Sequence, residues 1–139
     1  MTFKKNKMIR WGHCDAAGII YFPRYAELCN DVIEDLFCEA LDVSLWTLTQ
    51  EMRIGIPFVH LDMDFLAPTI FNEILEFELA ITDMGRSSLT FTIVARCGGE
   101  ERLRAALKIA MISMDTRRSV SIDDNWRKKF APFVSSPTN

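Results

Sequence analysis

No apolar run in this chain approaches the ~20 residues that a membrane-spanning helix needs. The amino-terminal stretch MTFKKNKMIRWGHCD is basic and leads into no hydrophobic segment, so no membrane contact is expected and the protein reads as cytoplasmic. Positive charge is not in excess either. Sixteen lysines and arginines face 19 acidic residues, a net charge of −3, which gives no basis for general nucleic-acid binding. Cysteine is sparse and unpatterned: Cys14, Cys29, Cys38 and Cys97 contain no CxxC pair, and only His13 and His60 could join them around a metal. Buried reduced thiols are therefore expected, and no metal site. Repeats, low-complexity tracts and linkers are also lacking. A single domain spanning 1–139 follows, with a polar, loose end at Ser135 to Asn139.

What the chain does have is aromatic mass. Ten phenylalanines and three tryptophans suit a core, an oligomer interface or an acyl pocket. They are organised around WGHCDAAGIIYFPRYAELCNDVIEDLFCEAL, Trp11 to Leu41, a turn-rich loop running straight into one long amphipathic helix. Tyr25, Leu28, Cys29, Val32, Ile33, Leu36, Phe37, Ala40 and Leu41 recur at steps of three and four and form one wide stripe. Pro23 suits the first helical position, where its missing N–H has no intrahelical partner. The spacing predicts a helix from Phe22–Pro23 to about Leu41, with Ser44 capping a second short helix, SLWTLTQEMR.

Elsewhere the period is two. Phe3 to Trp11 reads as a first strand. Val59, Leu61, Met63 and Phe65 alternate with Phe58, His60, Asp62 and Asp64, giving a strand from Phe58 to Leu66 with one strongly apolar side. Leu75 to Ile81 and Leu89 to Arg96 alternate likewise around the turn Met84-Gly85-Arg86-Ser87, and Cys97-Gly98-Gly99-Glu100 reads as a hairpin. Arg102 to Met114 reads as a long interior strand, apolar on both sides in its later half. Asp123 to Phe133 is amphipathic, with Trp126, Phe130 and Phe133 on one side. The order of strand, long helix, short helix and four strands predicts an α+β fold, an antiparallel sheet wrapped around one central helix.

The chemistry is expected at the loop. Asp15-Ala16-Ala17-Gly18 sets a carboxylate among small residues that let a ligand approach the backbone. A carboxylate serves as general base toward water or attacks a carbonyl itself, and the helix start supplies N–H donors for an oxyanion. Those parts suit an activated acyl group such as a thioester. The bland alternative, that Asp15 only orders the turn, carries about equal weight. Cys14, with only His13 beside it, reads as a small hydrophobe.

The string GHCDAAGIIYFPRY resembles the signature of the 4-hydroxybenzoyl-coenzyme A thioesterase group of hotdog-fold proteins, and VHLDMDFLAPTIFNEILEFE extends the likeness more loosely. The resemblance implies a hotdog-fold acyl-coenzyme A thioesterase for a small, aromatic acyl group, working without a cofactor as a homodimer or homotetramer with sites at subunit interfaces. It implies Asp15 as the catalytic carboxylate and the backbone N–H groups of Tyr21 and Phe22 as oxyanion donors. A related branch carries a histidine where this chain has Phe22, a departure that points to aryl thioesters. Substrate contacts are expected at Gly18, Tyr25, Asn30 and His60. Coenzyme A phosphates are expected at Arg86 and Ser87, in a turn like the family's nucleotide-contacting turn, and at Arg117 and Arg118. The rival readings are a hotdog enoyl-thioester hydratase, disfavoured because neither histidine lies on the central helix, and a noncatalytic binder of acyl thioesters or other small apolar ligands.

Overall fold

Strand-period alternation in the second half of the chain builds the sheet, and the one helix-period stripe supplies what the sheet closes on. The computed structural model describes residues 1–135. Its elements are β1 (Phe3–Met8), α1 (Pro23–Asp35), β2 (Ile54–Gly55), β3 (Phe58–Phe65), β4 (Ile74–Met84), β5 (Ser88–Cys97), β6 (Glu100–Ala110), β7 (Ile112–Ser113) and α2 (Asp124–Phe130). Five strands form one antiparallel sheet in the order β1-β4-β5-β6-β3, and β2 pairs with β7 in a second, two-stranded sheet. The sheet wraps α1, the hotdog arrangement. No helix among the described residues is long and apolar enough to cross a membrane.

The core lies where the two periods meet. Tyr25, Leu28, Cys29, Val32 and Ile33 of α1 are buried against Leu75, Phe77, Leu79 and Ile81 of β4 and their neighbours on β5 and β6. Trp126, Phe130 and Phe133 are buried as the tail's periodicity predicts, and Phe37 meets Trp126 and Phe130 with ring centroids 6.1 and 5.9 Å apart. Gly98 and Gly99 take φ of +57° and +85° in the expected hairpin, a conformation glycine reaches without a Cβ penalty.

Several local expectations are corrected. The first strand stops at Met8, because the Ile9 N–H leaves the ladder for the Glu73 carbonyl and Trp11–His13 curls into a 3₁₀ turn. The long last strand divides at Met111 into β6 and β7, and the β2–β7 pair was not anticipated. On β6, Ala106, Lys108 and Ala110 are only half-buried, so the strand is interior without being covered on both faces. The helix extends past Asp35 as a π-helical turn, Leu36–Ala40, which buries Leu36 and Phe37 but leaves Cys38 and Ala40 exposed. Of the four thiols only Cys29 is buried. Ser44 does cap its short helix, its Oγ accepting the Thr47 N–H at 3.0 Å, and that helix, begun at Leu45, continues as a π-helical turn, Thr47–Glu51. Ser135, expected to be loose, donates its N–H to the Ile81 carbonyl at 2.9 Å. Residues 136–139 of that expected tail lie outside the described residues.

β3 forms over Phe58–Phe65, close to where the alternation places it. Its apolar side faces open space, with Val59 58%, Leu61 48% and Phe65 50% exposed. The strand sits at the sheet edge, paired with β6 alone.

Candidate active site

Asp15 stands at the tip of a small hairpin. Its N–H donates to the Ile19 carbonyl, the Gly18 N–H donates back to the Asp15 carbonyl, and Cys14 bridges Ile20. Gly18 closes the turn with φ +78°, strained for any residue with a Cβ. Asp15 Oδ1 accepts the Ala17 N–H at 2.8 Å, so the carboxylate does order its turn, as the bland reading proposed. Oδ2 has no protein hydrogen bond among the described residues, and the side chain is exposed. One oxygen is thus fixed and the other is open to a ligand.

The return arm of the hairpin runs into α1, and its backbone bonds decide which N–H groups stay open. The Tyr21 N–H is spent on the His13 carbonyl at 2.8 Å, a correction to its expected role as a free donor at the helix start. The Phe22 N–H has no acceptor among the described residues, while Pro23 has no N–H to give. Arg24 and Tyr25 N–H groups already bond the Tyr21 and Phe22 carbonyls.

Apolar space flanks this junction on two sides. A cleft of about 350 Å³ beside Asp15 is lined by Trp11, Cys14, Ala16, Gly18 and Phe71, with the Trp11 and Phe71 rings edge to face at 6.3 Å. A groove of about 330 Å³ between α1 and β3 is lined by Phe22, Pro23, Ala26, Leu61, Met63 and Phe65. Phe22 packs on Phe65 at 6.0 Å, so its side chain borders the groove while its N–H marks the helix start.

The other predicted residues divide. Gly18 lines the cleft beside Asp15. Asn30 is exposed one step beyond Pro23 and Ala26 on the groove side of α1. Tyr25 is buried at 3% exposure, its hydroxyl shares a hydrogen bond with Thr69 Oγ1 at 2.8 Å, burial pushes its pKa up, and with Phe22 and Phe65 it lines a smaller hollow at the helix start. His60 is exposed on the side of β3 opposite Leu61 and Met63, away from the groove. His13 accepts the Arg10 N–H at Nδ1 (2.8 Å), which fixes the 3₁₀ turn under Trp11. Burial, with Asp15 nearby, pushes the Cys14 thiol up, opposite to what a nucleophilic thiolate needs.

Arg86, Ser87, Arg117 and Arg118 do gather, but elsewhere. Arg86 Nε donates to Ser121 Oγ at 3.0 Å, the Arg86 carbonyl accepts the Ile122 N–H, and the Arg118 carbonyl accepts the Ser113 N–H. This basic end lies past Met84, whereas the Asp15 hairpin lies beside residues 69–71, ahead of Ile74. β4, 11 residues long, runs between them, a length of about 35 Å at ~3.3 Å per residue. Within one subunit the two sets lie at opposite ends of β4.

Sequence reasoning missed a buried polar cluster behind the hairpin. Arg102, 8% exposed, donates to both oxygens of Glu73 (2.9 and 3.0 Å), to the Pro68 carbonyl (2.9 Å) and to Thr69 Oγ1 (3.3 Å). Its Nε approaches Glu100 Oε1 at 2.6 Å, an ion pair too bent to count as a hydrogen bond. Arg102, with the Ile70 N–H, holds the Glu73 carboxyl well below the ordinary range, to about 2. Trp11 and Phe71 were missed as cleft walls, although an unplaced aromatic at each end of the loop pairing was the available signal.

Among the described residues, no group of three or more His, Cys, Asp or Glu side chains is placed to hold a metal ion. Compared with known proteins, residues 9–130 match the family model of the thioesterase-like superfamily. A 1,4-dihydroxy-2-naphthoyl-CoA hydrolase of Synechococcus elongatus is 32% identical over 85 residues, 60% of this chain and 62% of that protein, so the match spans less than two thirds of its length. The protein of that name from Crocosphaera subtropica is 27% identical over 93% of this chain and 87% of its own. A solved thioesterase-superfamily structure from Jannaschia sp. CCS1 superposes with a TM-score of 0.90 at 25% identity, covering 97% of this chain and 94% of that one.

Proposed function

The chain belongs to the thioesterase-like superfamily, and we propose that it hydrolyses an aromatic acyl-coenzyme A to the free acid and coenzyme A. One observation carries this reading: Asp15 presents a free carboxylate oxygen beside an aromatic-walled cleft, one short arm away from the unpaired Phe22 N–H. The names of the two cyanobacterial relatives favour a fused-ring, hydroxylated acyl group over the 4-hydroxybenzoyl group of the resemblance, and the Phe22–Leu61–Phe65 groove offers such a ring an apolar wall.

In the general-base route Asp15 takes a proton from water, the hydroxyl oxygen bonds to the thioester carbon, and the Phe22 N–H holds the oxyanion. Collapse expels the coenzyme A thiolate, which takes the proton from Asp15. In the nucleophilic route Asp15 bonds to the carbonyl carbon itself, the thiolate leaves, and water cleaves the resulting anhydride. Neither needs a cofactor, since coenzyme A enters and leaves with the substrate.

The length of β4 that parts Asp15 from the basic end, about 35 Å, is what an isologous dimer would bridge. β3 offers a free edge and an uncovered apolar side. A second copy paired antiparallel along β3 would bring the partner's Phe58 end, and with it the partner's Arg86 and Arg118, toward this subunit's Phe65 end and Asp15. The site would then take its carboxylate from one subunit and its phosphate contacts from the other.

The test is free-thiol release from benzoyl-, hydroxybenzoyl-, phenylacetyl-, dihydroxynaphthoyl- and aliphatic acyl-coenzyme A, with wild type beside Asp15→Asn. Aryl-selective release lost in the variant is expected. Near-wild-type turnover by Asp15→Asn would sink the assignment, and saturable binding without any product would make the protein a binding module. A rapid-quench mass spectrum of the protein, heavier by one acyl group, marks the nucleophilic route.

A further inference from the structure

The two halves of the proposed machinery are referenced to one buried side chain. Thr69 has no exposed surface and sits in the β3–β4 loop, not in either cleft beside Asp15 or along β3. Its carbonyl accepts the Ile20 N–H at 2.8 Å, and two residues on Phe71 donates to the Gly18 carbonyl at 3.2 Å. The loop therefore pairs with the return arm of the Asp15 hairpin. Its hydroxyl meets Tyr25 OH at 2.8 Å, and Tyr25 lies in the first turn of α1, the turn that begins beside the Phe22 N–H.

The hydroxyl is in turn held from behind. Arg102 Nη1 donates to Thr69 Oγ1 and to the Pro68 carbonyl, and the guanidinium is locked by the fork of Glu73. Glu73 is itself tied to the loop, since its Oε1 accepts the Ile70 N–H at 2.8 Å. The Ile9 N–H bonds the Glu73 carbonyl, and the Asn72 N–H bonds the Ile9 carbonyl, at 2.8 Å each. A planar, doubly bonded guanidinium is a stiffer brace than a flexible ammonium would be.

Resting on the proposed thioesterase reading, we propose that Thr69, braced by Arg102 and Glu73, is a positioning residue that sets the separation between the Asp15 carboxylate and the Phe22 oxyanion donor. Neither Thr69 nor Arg102 touches substrate. A loosened brace lets the hairpin and the helix start drift independently, and a misplacement on the order of 1 Å at reacting atoms costs about a hundredfold in rate. Substrate affinity, which comes from the aromatic walls and the phosphate contacts, is little changed.

The experiment is steady-state hydrolysis of the best aryl thioester by wild type, Thr69→Val, Thr69→Ser, Tyr25→Phe and the Thr69→Val/Tyr25→Phe pair, with melting curves for each. Thr69→Val keeps the shape and removes both hydroxyl bonds. The expected result is a fall in kcat of roughly ten- to hundredfold with KM within about threefold, recovery in Thr69→Ser, and a double variant no worse than the worse single one. Should Thr69→Val fail to fold, Tyr25→Phe breaks the same bond from the other side and carries the test. Unchanged kcat in the folded variants, a change in melting temperature alone, or an additive fall in the double variant would overturn the proposal while wild-type turnover leaves the thioesterase reading standing. An inactive wild type overturns both, and that arm tells the two failures apart.

Discussion

Replacing Glu73 by glutamine removes one negative charge from the Arg102 cluster and leaves Glu100, among the described residues, as the carboxylate against the guanidinium. The Glu73 carboxyl is held down to about 2 from an ordinary 4.5, first by its hydrogen bonds from Arg102 and then by the Ile70 N–H. That difference corresponds to roughly 3 kcal/mol. With 24% of the side chain in contact with water, screening brings the contribution nearer ~2 kcal/mol. Because the folded value lies below the unfolded one, the contribution is complete above about pH 4.5 and is lost as pH falls toward 2. Glu73→Gln should therefore unfold at a urea midpoint about 1 M lower than wild type near neutrality, for a slope of about 2 kcal/mol per molar. The gap should close steadily in acid, where wild-type Glu73 becomes a neutral carboxyl much like the amide. Equilibrium urea unfolding at a series of pH values from about 7 to 2.5 reads this directly. A gap that stays constant would mean the variant loses packing and not an ionic contribution, and a gap that widens in acid would reverse the sign of the argument.

The thiols give an independent check on burial. Cys38 is exposed on the π-helical turn, whereas Cys29 has no exposed surface and burial pushes its thiol up to about 12. A thiol reagent followed by peptide mapping should label Cys38 rapidly and Cys29 only on unfolding, and equal rates would contradict the packing of α1. Leu61→Glu, or Val59→Lys, places a charge on the open side of β3 without touching the core. Either should shift the protein toward monomer in sedimentation and lower turnover together. Wild-type sedimentation with full activity would rule out β3 as the interface.

Elements whose residues face one uniform environment were readable in advance. The stripe from Tyr25 to Phe37, the alternation of Leu75 to Ile81, and the Gly98-Gly99 hairpin follow from period and backbone chemistry alone. The exposure of Val59, Leu61 and Phe65 was not readable, since apolar alternation says which side is greasy and not what covers it. At the site, the Asp15 turn and the helix start were legible because Gly18 and Pro23 mark them. The loss of Tyr21 as a donor was not, because its acceptor, the His13 carbonyl, is set by backbone pairing across the hairpin. The partner of the Tyr25 hydroxyl was hidden for a related reason: the hydroxyl is aimed inward at Thr69, 44 positions away in the chain. The Arg102–Glu73 pair joins the head of one strand to the residue before another, a proximity that only the sheet register creates.

The helix at the centre has two faces with separate obligations. Tyr25, Leu28, Cys29, Val32 and Ile33 are committed to the sheet, and any change there is felt by the whole fold. Pro23 and Ala26 line the open groove, and exposed Asn30 follows them on the same side, so none of the three carries the core. With the groove as the acyl site proposed above, selectivity for the acyl group and stability of the domain would be written on opposite sides of a single element. A lineage, or a protein engineer, can vary Ala26, Asn30, Leu61 and Met63 to retune what the groove accepts while the sheet's grip on the helix stays as it is.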